Sequence, residues 1–208
     1  MSFFLELMEL VGTAAFAVSG AMLGIKKKMD LFGVCMMGLV TACGGGMLRD
    51  LFLGLTPPAV FRDPHCALLA AGVSAAFFLA ARRHLFHSGL PAFDTVMLLA
   101  DSLGLGVFTA AGVSAAVQAG YGDSIPYCVF LGTLTGVGGG TLRDVLAGLP
   151  PYIFVKHIYA CASIAGAAAC ALLWSTAGRT SAVLVCFTLV FMIRIMATRF
   201  HWSLPKAT

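Results

Sequence analysis

The sequence predicts an all-α integral membrane protein of seven transmembrane helices, arranged as two inverted three-helix repeats plus one peripheral helix. Three observations carry this. Of the 208 residues, 60% are hydrophobic and only 11% are charged, where a soluble domain carries about 25%. The apolar residues fall into seven stretches, and a helix of roughly 20 apolar residues crosses a bilayer. One segment occurs twice: residues 44–57 read GGGMLRDLFLGLTP and residues 138–151 read GGGTLRDVLAGLPP, with nine of fourteen positions identical. The whole length 1–208 reads as a single membrane domain, with repeat one at about 1–85, repeat two at about 90–175 and the seventh helix at about 180–201.

The stretches follow in order, separated by clear punctuation. The first, Phe3 to Ile25, ends at Lys26, Lys27 and Lys28. It lacks a basic leader and contains Glu6 and Glu9, so it reads as a permanent span rather than a cleaved signal. The second, Leu31 to Leu55, ends at Pro57 and Pro58, and the third, Val60 to Ala81, at Arg82, Arg83, His84 and His87. The fourth, Phe93 to Ala119, ends at Gly120 and Gly122. The fifth, Ser124 to Leu149, ends at Pro150 and Pro151, and the sixth, Tyr152 to Trp174, at Gly178 and Arg179. The last runs from Ser181 to Phe200.

Charge placement sets the expected topology. With the N-terminus outside, the cytoplasmic segments hold Lys26, Lys27, Lys28, Arg82, Arg83, Lys156, Arg199 and Lys206, and the outer segments hold only Arg62 and Arg179. Lys and Arg concentrate on the cytoplasmic side of membrane proteins, so the sequence predicts N-out, C-in. The net charge of +4 is thereby a matter of topology and does not point to nucleic acid. Three spans per repeat is an odd number, so the second copy must cross the membrane upside down relative to the first. Inverted repeats of this kind are common in transport proteins.

Gly44, Gly45 and Gly46, and equally Gly138, Gly139 and Gly140, interrupt an apolar span. Each Gly in a helix interior costs about 1 kcal/mol against Ala, which predicts an unwound turn there and a glycine-broken second and fifth helix. Such a turn would free carbonyls for a cation and must face protein or water, not lipid. Arg49 and Asp50, with Arg143 and Asp144, follow directly. Adjacent helical residues point about 100° apart, so the sequence favours pairing across the repeat axis, Arg49 with Asp144 and Arg143 with Asp50. A purely structural role for the glycines, close helix packing, is the alternative.

Other polar residues carry weaker signals. Thr13, Ser19, Thr41, Asp101, Ser114 and Thr135 are candidates to line vestibules on either side of the glycines. Glu9 falls opposite Asp101 when the repeats are aligned. Glu6 and Glu9 are expected near the outer interface. His84 and His87 read as loop residues, Lys156 and His157 as headgroup contacts, and Arg194 as a snorkelling side chain. Gly12, Gly20, Gly104, Gly106 and Gly112 read as helix-crossing positions. The seven scattered cysteines form no CxxC pair and read as apolar filler. No P-loop, HExxH or catalytic constellation is present, so the chain is not expected to be an enzyme, to need a cofactor or to hold a resident metal.

The doubled GGGxLRD segments, at Gly44–Asp50 and Gly138–Asp144, within a plan of three, three and one helices, resemble those of the prokaryotic TRIC family, the trimeric intracellular cation channels. That family overlaps a bacterial glycine-transporter-domain family. The resemblance implies a homotrimer in the inner (plasma) membrane of a prokaryote, with an hourglass pore inside each subunit that conducts K⁺ and Na⁺. In that reading the glycine segments with Arg49, Asp50, Arg143 and Asp144 form the ion path. The competing expectation is a secondary transporter for glycine or another small zwitterion, with half-helix amides holding the carboxylate and Asp50 or Asp144 the ammonium. A non-conducting scaffold is a third.

Overall fold

The computed structural model describes residues 3–83, 91–155 and 158–202, and all regular structure among them is helical. His84, His87, Lys156, His157 and Lys206 lie outside the described residues. The helices are α1 (Phe3–Lys26), α2 (Leu31–Phe52), the short α3 (Ala59–Arg62), α4 (His65–Arg82), α5 (Pro91–Ala116) with a π-helical turn after it (Val117–Tyr121), α6 (Ile125–Leu146), the short α7 (Tyr152–Val155), α8 (Tyr159–Leu173) and α9 (Arg179–Arg199). Six are long and apolar enough to cross a membrane. The predicted third and sixth stretches each divide into a four-residue helix and a longer one. At 15 residues α8 is about 22 Å long, shorter than the ~30 Å hydrocarbon core.

The local reasons for these boundaries lie in the sequence. Asp30 starts α2 by accepting a hydrogen bond from the Gly33 amide at 2.7 Å, which satisfies one of the open donors of the first turn. Pro126 sits in the first turn of α6, where its missing N–H costs nothing. Helices α2 and α6 stop in the same way. Gly54 and Gly148 take positive φ, +69° and +67°. The amides of Leu55 and Leu149 then reach back to the carbonyls of Asp50 and Asp144, at 2.8 and 2.9 Å. This is a left-handed glycine cap closing the last carbonyls, and it explains why the repeated segment keeps Gly-Leu after Arg-Asp.

The inverted arrangement can be read from contacts. Along α1 and α5, Gly12 meets Val107, Phe16 stacks on Phe108 at 5.3 Å, Ser19 reaches Asp101 and Lys26 pairs with Asp94. One helix ascends as the other descends, so α1 and α5 are antiparallel. Within each copy the first two helices are also antiparallel, with Gly20 against Met37 and Gly24 against Val34, as Gly112 lies against Leu131. Contacts between copies are reciprocal: Gly44 touches Leu142 and Gly138 touches Leu48. The last helix, α9, packs on α5 and α8.

Two expectations about the glycine segments need correction. Both α2 and α6 are helical throughout their glycines, so no turn unwinds and no carbonyls are freed. The reason is packing. A β-carbon on Gly45 would run into the carbonyl of Thr135, and one on Gly139 into the carbonyl of Thr41. The two helices cross backbone to backbone, and this close packing offsets the glycine's poor propensity. The small-residue reading of Gly12, Gly20, Gly104, Gly106 and Gly112 holds, since each faces a neighbouring helix with little room for a side chain. Arg194 does not snorkel. It is 2% exposed and its guanidinium lies 4.7 Å from the Tyr159 ring centroid, because it projects inward from α9 onto α8.

Candidate ion pathway

Because the helices do not break, Arg49 and Asp50 occupy the last turn of α2, and Arg143 and Asp144 the last turn of α6. An arginine is favoured at a helix C-terminus, where it opposes the helix dipole. The expected cross-axis pairs do not form. Arg49 donates through Nε to Oδ1 of its own neighbour Asp50 at 2.8 Å, and Arg143 does the same to Asp144 at 2.9 Å. The long arginine folds back around the helix end, which a side chain in mid-helix could not do. Each aspartate is held from its other side too. Oδ2 of Asp50 accepts from the Ala59 amide at 2.7 Å and Oδ2 of Asp144 from the Tyr152 amide at 2.9 Å. The motif aspartate thus starts the short helix that follows it, which sequence reasoning missed.

The surroundings of the two copies differ. On the first side a cavity of about 570 Å³ descends from the start of α1, α4 and α9 and the ends of α2 and α5. Its wall carries Glu9, Thr13, Gly46, Arg49, Asp50 and Ser114, with Asp63, Gln118 and Arg179. Three carboxylates face two guanidiniums, and the cavity lies within the range of built sites. Asp63, in the loop between α3 and α4, bonds the His65 side chain and backbone amide, and these hold its carboxyl below the ordinary range. Arg179 donates to the Ser114 hydroxyl at 3.2 Å. Glu6 is exposed, while Glu9 faces the cavity.

The second side is filled. Arg143 is 1% exposed and donates through Nη1 to Asp101 Oδ1 and to Ser19 Oγ, both at 2.6 Å. Its guanidinium also lies 5.0 Å from the Tyr152 ring centroid, and Tyr159 packs edge-on against Tyr152. A buried charge is tolerated only when paired and hydrogen-bonded in this way. Gly38 packs on Ser74 as Gly132 packs on Ala167, so the third helices align at an offset that sets Cys66 opposite Tyr159 and Ala59 opposite Tyr152. Two tyrosines fill in the second copy the space that a cysteine and an alanine leave empty in the first.

The candidate residues therefore separate. Thr13 and Ser114 line the cavity; Ser19 and Asp101 belong to the Arg143 network. Thr41 and Thr135, expected to line vestibules, instead sit buried at the helix crossing. Each turns its hydroxyl to its own helix, at Met37 and Leu131 carbonyls 2.6 Å away, a habit of threonine in helices. Between cavity and network stand the Gly45–Gly139 crossing and the Phe16–Phe108 stack. No group of three or more acidic, histidine or cysteine side chains that would hold a metal occurs among the described residues.

Comparisons with known proteins agree with this architecture. The family profile described as Glycine transporter matches twice, at residues 6–82 and 98–175, once on each copy. The UPF0126 inner membrane protein YadS of Escherichia coli K12 is 39% identical over 200 residues, covering 95% of this chain and 93% of the relative. A structure described as a basis for conductance through TRIC cation channels superposes with a TM-score of 0.85 at 33% identity, covering 100% of this chain and 98% of that one. The TRIC orthologue from Rhodobacter sphaeroides superposes with a TM-score of 0.86 at 32% identity, covering 95% and 98%. With the fold matched along its whole length and both repeats matched in sequence, the chain belongs to the prokaryotic trimeric intracellular cation channel (TRIC) family and matches the family described as Glycine transporter.

Proposed function

We propose that the protein is a passive channel for monovalent cations, K⁺ and Na⁺, with one hourglass pathway inside each subunit of a homotrimer, oriented N-out and C-in. The observation that carries this reading is the cavity that descends past Glu9, Asp63 and Asp50 to the glycine crossing. Rings and rows of carboxylates raise local cation concentration and disfavour anions. The route continues between the Phe16–Phe108 stack and the glycine backbones and leaves through the Arg143 network. In this conformation that far end is shut by Arg143, Asp101, Asp144 and the two tyrosines. Arg49 and Arg143 act as electrostatic barriers, lowered by Asp50 and Asp144. The likeness to TRIC channels described as trimeric and cation-conducting supports the ion class and the trimer. The inner-membrane relative and the basic loops support the location and orientation.

The test is recording from purified protein in planar bilayers under a KCl gradient. The expected result is a current that reverses near the K⁺ equilibrium potential and persists when Na⁺ replaces K⁺. Absence of current, anion selectivity, or concentrative and saturable glycine uptake in proteoliposomes overturns the reading, the last in favour of a transporter.

A further inference from the structure

The level between the cavity and the Arg143 network is built from apolar rings and hydrogen-bonded backbone. Along α1, Thr13 lines the cavity, Phe16 follows one turn on, and Ser19, a turn further, touches Arg143. Along α5, which runs the opposite way, Asp101 touches Arg143 and Phe108 borders the cavity. The two phenylalanines meet between these ends, with ring planes 15° apart and exposures of 1% and 5%. Across from them lies the Gly45–Gly139 crossing, whose backbone stays within the intact helices α2 and α6. Thr41 and Thr135 turn their hydroxyls to their own helices there. A cation at this level meets rings and hydrogen-bonded backbone in place of its hydration shell.

The repeat symmetry is broken at this pair. When the copies are aligned, Gly12 matches Gly104 and Phe16 matches Phe108. Gly104 is a socket for Phe16, since a β-carbon there would run into the Phe16 ring. The matching Gly12 receives Val107 instead, and Phe108 keeps the cavity on one side. We propose that Phe16 and Phe108 form a hydrophobic gate at the centre of the pathway, with Phe16 the fixed leaf and Phe108 the leaf that swings into the cavity. The gate rests on the channel reading. A narrow apolar constriction closes a pore by excluding water, without plugging it with charge. With Phe108 turned aside, the level widens and admits a hydrated cation. This closure is separate from the one made by Arg143, so two barriers stand in series along one path.

The test joins unitary recording to a labelling measurement that needs no current. In recordings, Phe108→Ala raises the ratio of open to closed dwell times by about 2- to 10-fold, the range set by the contribution of an aromatic pair. Phe108→Leu, which keeps apolar bulk, raises it less. Labelling uses the full chain in detergent with its seven cysteines replaced by Ala and Ser19→Cys added as a reporter beyond the rings. Methanethiosulfonate ethylammonium, a small thiol-reactive cation, modifies the reporter faster when Phe108→Ala is also present, as followed by intact mass. Access from the far end is the same in both chains, so the difference isolates the cavity route. Size-exclusion elution checks folding, and Phe108→Val takes the place of Phe108→Ala if the alanine chain misfolds. Equal labelling with and without the ring refutes the gate. Wild-type current with dwell times unchanged in Phe108→Ala also refutes it and leaves the channel reading standing. Faster labelling with no current from any variant keeps the ring pair as a water barrier and removes the channel reading.

Discussion

The two copies of the Gly-Gly-Gly-x-Leu-Arg-Asp segment present the same charged groups in the same helix-end geometry, yet one opens on a cavity and the other is sealed. Arg49 is 15% exposed and pairs with Asp50. Arg143 is 1% exposed and holds Asp101, Asp144 and Ser19 together. The difference comes from neighbours outside the repeated segment: Glu9 against Asp101, Cys66 against Tyr159, Ala59 against Tyr152, Ala111 against Ser19. The same local motif becomes part of a cavity wall or a closed latch according to the volume packed beside it.

Four experiments break or sharpen this contrast. The largest effect is expected where the copies are equivalent. Gly45→Leu and Gly139→Leu force a side chain into a backbone carbonyl that cannot swing away, at the upper end of overpacking costs, about 3 kcal/mol or more. Thermal unfolding in detergent should show both equally damaged, whereas Gly46→Ala, which meets only the flexible Arg49 tip at 3.8 Å, should be tolerated. Unequal losses at 45 and 139 break the symmetry.

Arg143→Met comes next or close to it. It strands two buried carboxylates, and breaking a buried pair from one side costs about 3–5 kcal/mol. Arg49→Met should cost less, about 1–3 kcal/mol, because it strands one buried carboxylate where Arg143→Met strands two, and Asp50, although 2% exposed, keeps the Ala59 amide. Equal destabilisation of the two variants contradicts the open-against-sealed contrast. Third, Cys66→Tyr places in the first copy the ring that fills the second. Unitary K⁺ current should fall by about twofold or more as the wide mouth narrows, and an unchanged current removes the cavity from the conduction route. The smallest effect is expected for Thr41→Val and Thr135→Val. Their hydroxyls serve their own helices, so stability should change by less than about 1 kcal/mol and conductance should stay constant.

Much of this architecture is legible in the residues. Seven apolar stretches, the doubled segment and the odd span count lead directly to inverted repeats. The Gly-Leu that follows each Arg-Asp is a helix stop, legible as turn chemistry. The continuity of α2 and α6 is not legible, because propensity is a local quantity while the Gly45–Thr135 approach is tertiary. The Arg–Asp pairing within one copy follows only once the motif ends a whole helix, and the expectation of a half-helix starting there points the other way. Arg194 has the sequence position of an end-of-helix snorkel, and nothing in its own helix names Tyr159 as its partner. The sealed side lies beyond reach for a related reason: the third helices share no identical run with which to align Tyr159 and Cys66.

The reciprocal contact between the glycine segments bears on how such a chain arises. In a half-length ancestor pairing with an inverted copy of itself, one substitution at Gly45 would strike both sides of the crossing at once. Every neighbour of the motif would likewise change in duplicate, so an ancestor of that kind could never have an open face and a shut one together. Fusion of two copies into one gene lifts this restriction everywhere except at the crossing, where each glycine still confronts the other helix's backbone. Tyrosine and cysteine can then occupy matching places, and a symmetric scaffold acquires a front and a back.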